Sequence, residues 1–171
     1  MATDEEFRGL FAQQYERLCR LGFLLTGDPA QAEELAQDAL VRTWWRWRLV
    51  GRPDNPETYA RKVLVNRHRS LLRRALVEAR YLVRDRLDEG STDRPREDAI
   101  VLWAATRRLP LRQREVLVLR YYEDLSEAEI ARVLGIPVGT VKSLARRGLA
   151  RLRRSLEPTT QGDALSTKER S

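Results

Sequence analysis

Leu109 to Leu156 reads LPLRQREVLVLRYYEDLSEAEIARVLGIPVGTVKSLARRGLARLRRSL, and its punctuation predicts a helix-turn-helix with a supporting helix in front. Ser126 followed by Glu129 is a capping box that opens a short helix. Gly135 supplies the left-handed residue that ends it, and Pro137 precedes a second helix beginning near Val138. From Thr140 to Arg154 that helix carries Lys142, Arg146, Arg147, Arg151, Arg153 and Arg154 and no acid. Val138, Val141, Ala145, Leu149 and Leu152 recur at helical spacing and predict a buried stripe. One face therefore holds the module together, and the other is free for phosphates and base edges. A basic helix on an ordinary bundle would normally mix in Glu or Asp, so the order of capped helix, glycine turn and basic helix favours DNA.

The composition agrees with a polyanionic partner. The chain has 171 residues, a formal charge of +7 and 42% hydrophobic content, the balance of a folded protein. Charge alone would suit nucleic acid or an acidic membrane surface. No apolar run approaches the ~20 residues that span a bilayer, and Met1 to Gly9 is acidic, so membrane insertion is not expected and a cytoplasmic location is. Cys19 is the only cysteine and His68 the only histidine. With no phosphate-cradling glycine loop either, neither a metal nor a cofactor is expected, and the chain does not read as an enzyme.

The charge distribution marks the organisation. Residues 1–50 carry eight acids and six bases, whereas residues 51–84 carry nine bases and three acids. Around GSTDRPRED the chain turns polar, which predicts a flexible linker over 85–98 between helical domains at 1–84 and 99–157. Residues 158–171 lack apolar periodicity and read as a disordered tail. The first domain reads as three helices. The first is carried by Phe7, Leu10, Phe11, Tyr15, Leu18, Gly22 and Leu25; the second starts at Asp28–Pro29 and runs to about Arg48; the third starts at Asn55–Pro56 and allows a break near its C-terminal end. No segment alternates as a strand would, so the fold expected is all-α.

Two of these helices have faces that a core does not need. On the second, Ala32, Leu35, Ala39, Thr43 and Trp47 follow a core spacing, while Glu34, Gln37, Asp38, Val41, Arg42 and Trp45 lie to another side. Periodicity alone leaves that side either a protein-binding face or a solvated one with a stray tryptophan. On the third, Lys62, Asn66, Arg69 and Arg73 share one face and make a cationic stripe with one amide able to read a base edge. Tyr59, one turn earlier, is equally placed to stack on an unpaired base or to pack in the core. His68, flanked by Arg67 and Arg69 and with no acid or nucleophile beside it, reads as a surface or phosphate-contact residue rather than a general base.

The ordered set DPAQAEELAQDALVRTWWRW, ETYARKVLVNRHRSLLRR and LPLRQREVLVLRYYEDLSEAEIARVLGIPVGTVKSLARRGLARLRR resembles the extracytoplasmic-function (ECF) group of bacterial RNA polymerase sigma factors, notably its actinobacterial sigma-E-like branch. The resemblance covers roughly Glu5 to Leu156. It implies a protein without chemistry of its own that binds the polymerase core, recognises promoter DNA and melts it. It places Glu34, Gln37, Asp38, Val41, Arg42 and Trp45 on the clamp helices of the largest polymerase subunit, and adds the flap of the second-largest subunit as a further contact. It puts Asn66 at the family's base-capturing position in the -10 element, with Tyr59, Lys62, Arg69 and Arg73 along the displaced strand. Many members have Trp where this chain has Tyr59. It assigns Thr140, Lys142, Ser143, Arg146 and Arg147 to the -35 element, where Leu144 replaces a residue that is polar or basic in many members and leaves only an apolar contact. An anti-sigma factor is a common partner in the family. Two rivals explain less: a dimeric operator-binding regulator leaves the Asn66 helix without a task, and a nucleic-acid enzyme lacks clustered carboxylates outside 85–98.

Overall fold

Every helix start that the punctuation marks is where a helix begins. The computed structural model describes residues 2–81 and 97–156. Its elements are α1 (Ala2–Thr26), α2 (Pro29–Val50), α3 (Pro56–Tyr81), α4 (Glu97–Thr106), α5 (Leu111–Tyr121), α6 (Glu127–Leu134) and α7 (Val138–Leu156), with no strand among the described residues. The Asp28 carboxylate accepts from the backbone of Ala30 at 2.9 Å and Gln31 at 3.3 Å, and Pro29 enters the first turn where its missing N–H is not needed. Asn55 caps α3 in the same way, accepting from Thr58 N at 2.8 Å. Helix α3 is continuous to Tyr81.

In the first half, α1, α2 and α3 pack on one another through Leu18, Leu21, Leu24, Leu35, Ala39, Leu40 and Leu64, all essentially excluded from solvent. Each such leucine contributes about 1.5–3 kcal/mol by leaving water. The expected α2 stripe is borne out: Ala32, Leu35, Ala39, Thr43 and Trp47 are all buried.

In the second half, Ser126 and Glu129 form a reciprocal capping box, and Gly135 sits at φ 64°, a left-handed conformation that favours glycine. Helix α7 turns Val141 and Ala145 inward with Leu149 and Leu152 beside them, but Val138 is exposed. Gly148 takes a place in that seam instead: a Cβ there would lie 2.9 Å from Leu117 Cδ1 and 3.4 Å from Gln113 Cβ, so α7 packs tightly on α5 at this point.

The two halves are packed together, which the expected flexible tether did not anticipate. Helix α6 lies against α3, and α4 and α5 lie against α1. The linker expectation is corrected at its end, since Glu97 and Asp98 form the first turn of α4. The remainder of that segment, 85–96, and the tail at 158–171 lie outside the described residues.

Candidate nucleic-acid interface

Helices α2 and α3 diverge at the end of α2 and leave an open cleft of about 650 Å³. Its floor and one wall come from α3, with Tyr59, Val63, Asn66, Arg67, Ser70 and Arg74 recurring every three or four residues. The other wall is α2, with Arg42, Trp45, Arg46, Leu49 and Val50. The cleft thus combines two aromatic rings, one amide and four guanidinium groups. Asp38 organises one side, receiving Arg42 at 2.9 Å and Arg67 at 3.2 Å. Arg46 is held by donating to Gly51 O at 3.1 Å. Tyr59 is partly exposed on this cleft rather than buried in the core.

The sequence-derived stripe does not coincide with the cleft. Asn66 belongs to both; Lys62 and Arg69 lie toward the neighbouring flank of α3, and Arg73 lines an adjoining hollow with the cleft residues Ser70 and Arg74. Lys62 and Arg73 are exposed. Arg69 is not free: it forks onto Glu115 of α5, with Nε donating to Oε1 at 2.8 Å, and its Nη1 donates to Leu134 O at 3.3 Å. His68 corrects the surface reading, since it is 2% exposed and neither ring nitrogen has a hydrogen-bond partner. Burial, reinforced by the neighbouring charges of Arg114 and Arg69, pushes its pKa down to about 4, so the ring is neutral near pH 7. Arg46, Arg67, Ser70 and Arg74 line the cleft without having been singled out from sequence. For Arg67, Ser70 and Arg74 the spacing with Tyr59 along α3 was the available signal; for Arg46, on α2, there was none.

On α7, Thr140, Lys142, Arg146 and Arg147 point to solvent, whereas Ser143 is half-buried with its hydroxyl donating to Gly139 O at 3.1 Å. Lys142 lies 3.7 Å from Glu127, the carboxylate that also receives Arg120 at 2.9 Å. Leu144 is partly buried against the core. On α2, Val41 and Trp45 are 51% and 54% exposed, Glu34, Gln37 and Arg42 are exposed beside them, and Asp38 is half-buried in its ion pairs.

A helical bundle with an open basic cleft, followed by a capped helix-turn-helix with a basic second helix, is the construction of a promoter-recognition subunit. Residues 10–76 match the family model described as Sigma-70 region 2, and residues 100–152 match that described as Sigma-70, region 4. The chain is 36% identical over 155 residues to the RNA polymerase sigma-E factor of Streptomyces avermitilis, covering 89% of this chain and 86% of that protein. It is 32% identical over 168 residues to the ECF RNA polymerase sigma factor SigL of Mycobacterium tuberculosis, covering 88% of each. The chain belongs to the sigma-70 family, as an ECF sigma factor of the actinobacterial type. As such it directs RNA polymerase to promoters and is not itself an enzyme.

Solved structures agree on the fold. The sigma factor RpoE of Bartonella quintana, in complex with the anti-sigma factor NepR, superposes with a TM-score of 0.73 at 21% identity, covering 91% of this chain and 99% of that one. CnrH, in complex with the cytosolic domain of CnrY, gives 0.69 at 22% identity over 92% and 91%. Among the described residues no helix is long and apolar enough to cross a membrane.

Proposed function

We propose that the α2–α3 cleft captures an unpaired base of the -10 element, with the Asn66 amide reading its edge and Tyr59 offering a stacking face. The carrying observation is that Asn66 and Tyr59 line one cleft with Arg42, Arg46, Arg67 and Arg74. A cleft that joins aromatic faces to arginines suits a single strand, because stacking tolerates any base and the cations follow the phosphates. Unpairing the duplex costs energy, and holding one base out of the stack offsets part of that cost. The strand follows the arginines of the cleft, continued by Arg73 beside Arg74, rather than the Lys62 side, and Arg69 joins it only if Glu115 releases it.

The exposed α2 face centred on Val41 and Trp45, with Glu34, Gln37, Asp38 and Arg42 around it, docks on the clamp helices of the polymerase. The second half engages the flap. Helix α7 reads the -35 duplex with Thr140, Lys142, Arg146 and Arg147, Ser143 at their edge. An anti-sigma factor is a fitting partner for the apolar residues left exposed on α2 and α3, and the protein works in the cytoplasm with the polymerase. The domains are those of 1–84 and, with the first turn of α4 included, 97–157. Run-off transcription with purified core polymerase on genomic fragments tests this reading: promoter-specific transcripts that depend on the chain support it, and transcription no different from core alone refutes it.

A further inference from the structure

The contact between the two halves joins an aromatic contact at one end to buried ion pairs along the rest. At one end Trp103 of α4 packs 6.2 Å from the Phe23 ring and lies over Gly27, where a Cβ would meet the indole at 2.2 Å. Gly27 holds φ +78°, so both its conformation and the space above it exclude a side chain. Arg114 stacks 4.8 Å from the same indole and donates to Leu25 O at 2.8 Å. In the middle Arg69 forks onto Glu115, which is wholly buried. At the other end Arg61, 4% exposed, donates to Glu123 at 2.8 Å, with Arg17 at 3.6 Å from the same carboxylate. His68 lies within this contact, buried and unpartnered.

This packing is incompatible with holding a whole promoter. The -10 and -35 elements are centred about 25 base pairs apart, about 85 Å at 3.4 Å per step. A compact body of this length is about 40 Å across. The halves must therefore part before both elements are held, an argument that rests on the promoter-binding reading above.

We propose that the α3–α5–α6 contact is an acid-sensitive intramolecular latch, in which Arg69–Glu115 and Arg61–Glu123 hold the two DNA-reading halves together and protonation of the enclosed His68 releases them. A charged imidazole in that position would stand beside Arg69 of its own helix and Arg114 of α5, with no hydrogen-bond acceptor to compensate it. The carboxylates of the contact, Glu115 and Glu123, are already engaged by Arg69, Arg61 and Arg17. Other charged groups on the surrounding helices include Glu16 and Arg20 of α1, Glu57, Lys62, Arg67 and Arg73 of α3, Arg112 and Arg120 of α5, and Glu127, Glu129 and Arg132 of α6; Glu57 approaches Arg61 and Arg112 approaches Glu115, each at 3.7 Å. The sign follows. With its pKa down to about 4 in the closed form, His68 stays neutral there, while in the open form it titrates near 6.5. The open form binds more protons below pH 6.5, so the closed form loses ground as pH falls from 6.5 towards 4, by about tenfold in population ratio at pH 5.5.

Because His68 is the sole histidine, its imidazole resonance can be titrated in the unmodified full chain by NMR while small-angle scattering reports compactness. At pH 7.5 the latched chain should show a radius of gyration near 16 Å, rising towards 23 Å for two halves about 40 Å apart. Glu115→Gln with Glu123→Gln should expand the chain at pH 7.5 and return the His68 titration towards 6.5; Trp103→Ala, which loosens the opposite end, should do the same. The wild type should expand between pH 6.5 and 4, and His68→Leu should remain compact across that range, with circular dichroism verifying that each variant is helical. An imidazole titrating near 6.5 in the compact wild type would overturn the proposal. So would failure of the wild type to expand, expansion of His68→Leu with the same pH dependence, or a double Gln variant that stays compact. None of these readings involves DNA or polymerase, so failure of the latch is distinguishable from failure of the promoter-binding reading.

Discussion

Replacing Arg46, Arg67 and Arg74 by Gln removes three of the cations that line the α2–α3 cleft while keeping uncharged polar side chains in their place. Each phosphate contact on a single strand contributes about 0.7 to the slope of log affinity against log salt, so losing three lowers the slope by about 2. Between 50 and 200 mM salt the wild type should then lose about 18-fold more affinity than the variant. The fold should tolerate the change: Arg67 and Asp38 are 32% and 30% exposed, and a pair that open to solvent is worth about 0.2–1 kcal/mol. The assay is fluorescence anisotropy of a labelled non-template oligonucleotide from the -10 region, titrated with holoenzyme at several salt concentrations. Lys62→Gln, on the neighbouring flank of α3 and outside the cleft lining, should leave the slope where it was. If the cleft variant keeps the wild-type slope and the flank variant loses it, the strand runs along the flank and the assignment of the cleft is wrong.

Val41→Ala with Trp45→Ala should weaken co-purification with core polymerase while leaving the melting temperature nearly unchanged, because both side chains are more than half exposed; undiminished co-purification would show that this face is only solvated. Lys142→Ala and Arg146→Ala should each lower the salt slope of -35 duplex binding by about 0.9 if the residue contacts a phosphate, or relax specificity at one position at a cost of about 1–3 kcal/mol if it reads a base. Duplex binding unaltered by either substitution would remove α7 as the recognition helix.

How far the sequence carried depends on the range of the interaction concerned. Ser126, Glu129 and Gly135 act within one helix turn, and Ala32, Leu35, Ala39, Thr43 and Trp47 within one helix face, so capping and periodicity reached them. The cleft needs two helices that cross at a particular place. Asn66 and Tyr59, which line it, were therefore singled out, but Arg46 was not, and Arg67 and Arg74 were passed over for a stripe on the neighbouring flank. The latch lies further out of reach, since Arg69 finds Glu115 and Arg61 finds Glu123 across 46 and 62 residues. Nothing local distinguishes these arginines from solvated ones. His68 was misread for the same reason: two flanking arginines suggest a surface, but helical geometry turns a residue between them the other way, under α5. On α7 the pattern was right and one member was exchanged, because close helix packing recruited Gly148, whose lack of a side chain hides it from any hydrophobic pattern.

The most direct test of the account is strand opening by Asn66→Ala. Asn66 is exposed on the cleft, so its replacement should leave folding, core binding and closed-complex formation intact. Permanganate reactivity of unpaired thymines near the start site should fall, and a template mismatched across the -10 region should recover much of the lost transcription because the unpairing energy is already supplied. Normal permanganate reactivity and an unchanged -10 preference in the Asn66→Ala holoenzyme would contradict the claim that this cleft captures the flipped base.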